Sequence, residues 1–176
     1  ISYTIVTGYG RMKCDYADEQ ISELSCHAKG IHYLLPTVRT VIDIGGQDAK
    51  ALRIDDKGHL IQFQMNDKCA AGTGRFLDVM AKILNVDIND LGSLSEKSSH
   101  PANISNTCTV FAESEVISKL SSDIPLEDIA AGIHESVAKR VAGMALRIGK
   151  APDVAMSGGV ALNIGVVHAM EREMEC

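Results

Sequence analysis

The spacing of hydrophobic and polar positions predicts a chain that mixes short strands with amphipathic helices. Five segments have the short, β-rich pattern of strands: 2–7, 40–44, 49–54, 60–65 and 153–156. The third and fourth of these are separated by Asp-Asp-Lys-Gly at 55–58, which favours an antiparallel hairpin. The first strand is expected to end at the glycine-containing turn 7–11.

Apolar residues at helical spacing predict five helices, over residues 17–29, 75–84, 110–120, 126–148 and 164–173. Asp15 or Asp18 is expected to cap the first helix, and Gly30 to end it. The order of elements favours a mixed α/β fold, because strict βαβα alternation is absent.

The long helix over 126–148 contains two glycines, Gly132 and Gly143, which are expected to weaken it. Lys139 and Arg140 on the same helix are expected to form a solvated face. The segment 92–107 is rich in Ser and Asn, and it is expected to be a loop.

Composition favours a soluble globular protein: 45% of the 176 residues are hydrophobic, and no apolar run approaches the ~20 residues of a membrane span. The net charge of −6 and the aromatic content of 4% argue against a nucleic-acid partner. The five cysteines are an odd number without a short-spaced framework, which favours free thiols in a reducing cytoplasm.

The turn after the second strand reads Asp43-Ile44-Gly45-Gly46-Gln47-Asp48. Glycines let a backbone approach a phosphate closely, and an Asp beside them suits a hydrated Mg²⁺. Gln47 is a candidate for orienting an attacking water. A plain strand-to-hairpin turn explains the same pattern equally well.

Two further glycine-rich turns precede helices. Gly72, Thr73 and Gly74 follow Cys69, and backbone N–H groups at such a helix start suit a phosphate or a thiolate. The pair Gly158 and Gly159 follows the last strand, and by itself it is a weaker sign of a nucleotide site.

Cys69 and Cys108 both stand before predicted helices. A [4Fe–4S] cluster with four thiolate ligands is an anion that helix N-termini would stabilise. One chain supplies only two such cysteines, so a cluster would require a two-fold dimer. Two buried structural cysteines, or a catalytic or transiently oxidised thiol pair, are the alternatives.

Several of these motifs together resemble a known family, the activators of 2-hydroxyacyl-CoA dehydratases, with the greatest likeness to the activators of 2-hydroxyglutaryl-CoA dehydratase. The related ATPase subunits of benzoyl-CoA reductase share the pattern. The likeness covers nearly the whole chain, and its most specific parts are DIGGQD (43–48), NDKCAAGTGRFL (66–77) and TCTVFAESE (107–115).

This resemblance implies an actin-like, sugar-kinase-type ATPase fold with ribonuclease H-like lobes. It also implies a homodimer that shares one [4Fe–4S] cluster, with Cys69 and Cys108 as the ligands from each chain. In such proteins reduced ferredoxin or flavodoxin loads the cluster, and ATP with Mg²⁺ drives one low-potential electron into the dehydratase.

The family also has an earlier glycine–serine–threonine phosphate loop and a later strand and helix, which this sequence does not contain. Residues 1–39 are therefore expected to be the end of an N-terminal lobe, and 40–176 most of a C-terminal lobe. A chain with half of the nucleotide clamp is expected to bind ATP weakly.

Two other classes of protein are compatible with the fold. A sugar or N-acyl-hexosamine kinase would use an Asp beside the glycine turns as a base, and it would not need the cysteine pair. A non-catalytic filament protein of the actin type is the third possibility, and no motif in the sequence supports it.

Overall fold

The computed structural model describes residues 2–176 and contains a four-stranded sheet with helices on both faces. The strands are β1 (Ile5–Val6), β2 (Glu19–Gln20), β3 (Thr40–Ile44), β4 (Ala49–Ile54), β5 (Leu60–Asn66) and β6 (Val154–Ser157). The helices are α1 (Glu23–Leu34), α2 (Gly74–Leu84), α3 (Leu91–Ser95), α4 (Thr109–Leu120), α5 (Leu126–Arg147) and α6 (Ile164–Met174). Two 3₁₀ turns cover Arg11–Lys13 and Gly159–Leu162.

The main sheet has the strand order β5-β4-β3-β6. β3 pairs antiparallel with β4 and parallel with β6, while β4 pairs antiparallel with β5. Every residue of β3 is buried, as expected for the central strand of a sheet covered on both faces. The mixed α/β fold expected from the sequence is confirmed.

Each face of the sheet has its own hydrophobic core. On one face, Ile42, Ile44 and Phe76 belong to a large core that includes much of α5 and α6. On the other face, Val41 and Leu52 pack with residues of α1. Helix α1 therefore shares a core with the sheet, and the lobe boundary expected between residues 39 and 40 stays a prediction.

The N-terminal region differs most from the sequence expectation. The first strand covers only Ile5–Val6, and it pairs in parallel with β2, which the sequence pattern missed. Helix α1 begins at Glu23 because Ser22 is its N-cap, accepting a hydrogen bond from the Ser25 N–H at 3.0 Å. The expected caps Asp15 and Asp18 and the expected stop at Gly30 are thus wrong.

The remaining elements lie close to their predicted bounds, with one addition. The segment 92–107 is not entirely a loop, because the five-residue helix α3 covers its start. Within residues 2–176, no helix combines the length and the apolar character that crossing a bilayer requires.

Candidate functional site

The turn Gly45–Gly46 is joined directly to the start of α2. The Gly74 N–H donates to the Gly45 carbonyl at 2.8 Å, and the Arg75 N–H donates to the Gly46 carbonyl at 2.7 Å. The expectation that these two N–H groups of α2 would face a phosphate or a cluster is therefore wrong. Instead they fix the position of the glycine turn against the helix.

A cavity of about 380 Å³ lies beside this junction. Three of the glycines expected to bind nucleotide line it: Gly46, Gly74 and Gly159. The region around α3 also lines the cavity, through residues that include Asn89 and Ser93, which no sequence motif indicated. The cavity therefore brings together two glycine turns that are far apart in the chain.

Gly45 is the other residue of the Gly45–Gly46 turn, and its surroundings leave little room for a side chain. Its N–H donates to the Asp48 carbonyl at 2.9 Å. A Cβ atom at Gly45 would lie 2.7 Å from Asp48 Oδ1. Gly45 adjoins the lining residue Gly46 but does not line the cavity itself.

The other three predicted nucleotide residues also make contacts within the protein. Gly158 has φ +87°, and a Cβ atom there would overlap the Ile44 carbonyl oxygen. The buried Thr73 hydroxyl donates to the Ala70 carbonyl at 2.7 Å. Gly72 has φ +82° and lies beside a side chain of α5. None of the three lines the cavity.

Asp43 lies at the end of β3 in a network of polar side chains. Its carboxylate accepts a hydrogen bond from Ser157 Oγ at 3.0 Å and lies 3.4 Å from Lys50 Nζ. Lys50 Nζ is also 2.7 Å from Asp48 Oδ2. Burial lowers the pKa of Lys50, but the hydrogen bond that Lys50 donates to Asp48 and the negative charges of Asp48 and Asp43 outweigh it, so this pKa is raised.

The sequence did not indicate His27, which reaches the same network from α1. His27 Nε2 lies 3.1 Å from Ser157 Oγ, and Nδ1 lies 3.8 Å from the Asp43 carboxylate. Gln47, the other predicted catalytic residue, is exposed on the turn beside this network. Its side chain is thus accessible to solvent, as a water-orienting group requires.

Behind the cavity, a buried histidine fixes the α3 wall. His134 is 1% exposed, and its ring contacts Ser95 Oγ at 2.9 Å and Asn163 Nδ2 at 3.3 Å. Because an amide nitrogen only donates, Nε2 accepts from Asn163 and Nδ1 donates to Ser95. Burial, and secondarily the charge of Arg172, lowers the pKa of His134 to about 4. The imidazole is therefore neutral at pH 7.

Cys108 is the N-cap residue of α4. Its backbone is extended, its thiol is half-buried and free, and its side chain makes no capping hydrogen bond. The first N–H groups of a helix have no partner within the helix. The neighbouring Thr109 Oγ1 is also buried without a hydrogen-bond partner among the described residues. The start of α4 thus has unused donors next to a thiol.

Cys69 is placed differently from Cys108. It lies five residues before the start of α2, so the expectation of matching positions before two helices is only half correct. The Asn66 side-chain amide donates to the carbonyls of Cys69 at 3.0 Å and of Ala71 at 2.8 Å. The loop 69–73 is therefore tied by its carbonyl groups, and the half-buried Cys69 thiol is free.

Four residues of α5 at a spacing of four hold the segment 98–107, which leads into Cys108. The Asp128 carboxylate accepts from Ser98 Oγ at 2.6 Å and from the His100 N–H at 3.2 Å. The other three members contact the segment further along: Gly132 at Ala102, Ser136 at Ser105 and Arg140 at residues 106 and 107. Residues four apart share a helix face, and we call these four the α5 stripe.

Arg140 contacts both cysteine segments. Its Nη1 donates to the carbonyls of Asn106 at 2.9 Å and Thr107 at 3.1 Å. A Cβ atom at Gly72 would lie 2.9 Å from Arg140 Cδ. The expectation of a solvated face holds for Lys139, which pairs with Glu135 at 3.1 Å, but is wrong for Arg140.

Comparison with known proteins places these features in a family. The family model described as "BadF/BadG/BcrA/BcrD ATPase family" matches residues 1–175. The 2-hydroxyisocaproyl-CoA dehydratase activator of Clostridioides difficile is 62% identical over 174 residues, which are 99% of this chain and 65% of that protein. The (R)-2-hydroxyglutaryl-CoA dehydratase activating ATPase of Acidaminococcus fermentans is 58% identical, over 97% of this chain and 66% of that protein.

A solved structure gives the same result for the fold. The activator of the 2-hydroxyisocaproyl-CoA dehydratase from Clostridium difficile with bound ADPNP has a TM-score of 0.88 and 62% identity, covering 99% of this chain and 65% of that one. The actin-like ATPase fold expected from the sequence is thus confirmed. This chain spans about two thirds of the length of the relatives that it matches. The chain belongs to the BadF/BadG/BcrA/BcrD ATPase family.

Proposed function

We propose that this protein is an ATP-dependent one-electron donor that activates a 2-hydroxyacyl-CoA dehydratase. Two copies would share one [4Fe–4S] cluster, and reduced ferredoxin or flavodoxin would supply the electron. The names of three relatives at 58–62% identity, all dehydratase activators or activating ATPases, support the dehydratase as partner. Residues 1–39 would be the end of one lobe and 40–176 most of the other.

The cavity beside the Gly45–Gly46 turn is the proposed nucleotide site. Gly46, Gly74 and Gly159 line it, and backbone at glycines can approach phosphate oxygens closely. The solved relative with bound ADPNP supports a nucleotide as the ligand. Asn89 and Ser93, which also line the cavity, would then contact the remainder of the nucleotide.

Asp43 and Gln47 have complementary proposed roles at the edge of this site. Asp43 would hold the water shell of Mg²⁺, since hydrated Mg²⁺ needs only one or two protein carboxylates. In this structure the single ammonium of Lys50 pairs with both Asp43 and Asp48, so a metal ion at Asp43 would have to compete with it. The exposed Gln47 would orient the attacking water.

The thiols of Cys69 and Cys108 fit a shared cluster. Both are free and half-buried, and unused donors at the start of α4 favour an anion beside Cys108. Within residues 2–176, no group of three or more His, Cys, Asp or Glu side chains could hold a metal ion, so four ligands would require two chains. When bound, the cluster would supply one-electron redox chemistry.

One observation supports a coupling between ATP and the thiols. Backbone hydrogen bonds join the Gly45–Gly46 turn, which we call the nucleotide turn, to the end of the loop that contains Cys69. Gly45 and Gly46 accept from Gly74 and Arg75, at the point where the loop 69–73 becomes α2. A displacement of the turn by the nucleotide phosphates would therefore move the loop that carries Cys69. This gives ATP hydrolysis a short route to a redox centre.

The sugar kinase alternative is not favoured. A kinase of this fold has no use for a tied thiol loop beside the nucleotide turn. The named relatives at high identity are dehydratase activators and activating ATPases.

Anaerobic cluster assembly on the full-length protein tests the proposal. We expect a brown dimer with about four iron and four sulfide per dimer, because each chain supplies half of the ligands. Cys69→Ser and Cys108→Ser should each abolish the colour, and the matched control Cys26→Ser, at an exposed thiol, should keep it. A colourless monomer from the unaltered protein would overturn the proposal.

The coupling is tested with the same protein. Addition of an ATP analogue should change hydrogen exchange in residues 69–73 as well as in the Gly45–Gly46 turn. A response confined to the turn would contradict the route through α2.

A further inference from the structure

We propose that Arg140 is a positioning residue for the cysteine pair: it braces the segments of Cys69 and Cys108 against each other and places a fixed positive charge beside them. The proposal rests on the proposed function, because the charge matters only where the two thiols hold a redox centre. It assigns a role to a side chain that is not a ligand and is outside the nucleotide cavity.

The bracing follows from the contacts of one side chain. The Arg140 guanidinium donates to the last two carbonyls before Cys108, those of Asn106 and Thr107. The aliphatic part of the same side chain lies against Gly72, where any side chain would collide with it. Gly72 belongs to the loop that Asn66 ties to Cys69.

The rest of the α5 stripe makes this brace rigid. Asp128 and Ser136 hold the segment 98–105 by side-chain hydrogen bonds, and Gly132 lets the segment approach the helix backbone. Arg140 is the last member of the stripe, and it is the member that also reaches the Cys69 loop. The distance between the two thiol segments is thus set by the α5 helix.

The charge of Arg140 is not neutralised by a neighbouring carboxylate. Among the described residues, the ion pairs include Lys139 with Glu135 on the same helix but none with Arg140. An Arg side chain stays protonated in proteins. A nearby fixed cation favours the more negative, reduced state of a thiolate-bound cluster. In a two-fold dimer each chain would contribute one such cation.

Three variants separate the brace from the charge. Arg140→Gln removes the charge and the fork of donors, and Arg140→Lys keeps the charge without the fork. The control is Arg147→Gln, at an exposed arginine that lines the same surface cavity as Arg140 but makes no hydrogen bond to either cysteine segment. All three are made in the full-length protein.

The first measurement is hydrogen exchange on the cluster-free protein. We expect Arg140→Gln to speed exchange in both 69–73 and 106–109, and Arg147→Gln to leave both segments unchanged. Faster exchange in only one segment, or in neither, would overturn the brace. This readout does not depend on a bound cluster.

The second measurement is a reduction potential from a redox titration followed by EPR. At a fixed potential, Arg140→Gln should lower the ratio of reduced to oxidised cluster about tenfold, which is about 59 mV for one electron. Arg140→Lys should restore most of the ratio. Equal potentials for Arg140→Gln and Arg147→Gln would overturn the charge effect.

The two proposals fail in different ways. If the unaltered protein assembles no cluster, the proposed function fails and the charge effect fails with it, while hydrogen exchange still decides the brace. If the unaltered protein assembles a cluster and the Arg140 variants match the control in both measurements, only this inference fails.

Discussion

Gly158 and Gly159 are adjacent, yet the structure predicts opposite consequences for adding a methyl group at each. Gly158 has φ +87° and ψ 171°, a region that is essentially restricted to glycine and costs other residues about 1–3 kcal/mol. An Ala Cβ there would also overlap the Ile44 carbonyl and lie 2.9 Å from Asp43 Oδ1. Such overpacking costs about 1–3 kcal/mol more. Gly158→Ala should therefore lower the free energy of unfolding by about 2–6 kcal/mol.

Chemical denaturation measures this loss, and Gly159→Ala is the matched control. A Cβ atom at Gly159 meets no atom within 4 Å, so its free energy of unfolding should change by less than about 0.5 kcal/mol. Gly159 lines the proposed nucleotide cavity, so the same methyl group should weaken binding of an ATP analogue about tenfold in calorimetry. If Gly158→Ala is as stable as the unaltered protein, or if Gly159→Ala loses stability and keeps its nucleotide affinity, the reasoning is wrong.

Three further outcomes follow from the structure. Gly132→Ala should destabilise the protein by about 1–3 kcal/mol in urea denaturation, because the added Cβ would overlap the Ala102 carbonyl. At the control position Gly143 the added Cβ meets open space, so Gly143→Ala should stabilise α5 by up to about 1 kcal/mol. A more stable Gly132→Ala variant than Gly143→Ala variant would contradict the packing. The pKa of the buried His134 falls from 6.5 in the unfolded chain to about 4 in the folded protein. The neutral imidazole therefore contributes fully to the free energy of unfolding above pH 6.5, and about 2–3 kcal/mol of that free energy is lost as the pH falls toward 4. His134→Gln should flatten that part of the stability–pH curve, and an unchanged slope would refute the assignment. Asp43→Asn should weaken nucleotide binding measured by calorimetry more in the presence of Mg²⁺ than in its absence. Equal losses of affinity under the two conditions would exclude a role of Asp43 toward the metal. Lys50 keeps its pairing with Asp48 in this variant, so the fold should persist.

The fold was largely readable from the sequence because its main elements have strong local signals. The hairpin β4–β5 and the helices α2 and α5 have clear periodicity, and the structure places them close to the predicted bounds. The two-residue strand β2 has no such signal, and its pairing with β1 joins residues fourteen positions apart. The predicted start of α1 is too early, because Asp15 and Asp18 are of a residue type that caps helices but Ser22 is the N-cap in the structure.

The candidate site was readable only in part, because motifs show where the backbone can bend but not what it then contacts. The glycines of three turns stood out, yet only Gly46, Gly74 and Gly159 line the cavity. Thr73 and Gly158 belong to the same glycine-rich turns, but their contacts are with other parts of the protein. The sequence predicts a surface position for Arg140, because its partners are backbone carbonyls more than thirty residues away and these leave no pattern in the sequence.

The α5 stripe has a consequence for which changes in chain length the protein tolerates. An α-helix turns about 100° per residue, so one residue inserted between Gly132 and Arg140 would rotate Arg140 away from both cysteine segments. One residue inserted into 98–107 would move Cys108 out of register with the residues of α5 that hold this segment. By composition that segment is an ordinary variable loop, rich in Ser and Asn. Its contacts with α5 make its length as constrained as that of the helix, so insertions should be tolerated after α4 but not between Ser98 and Cys108.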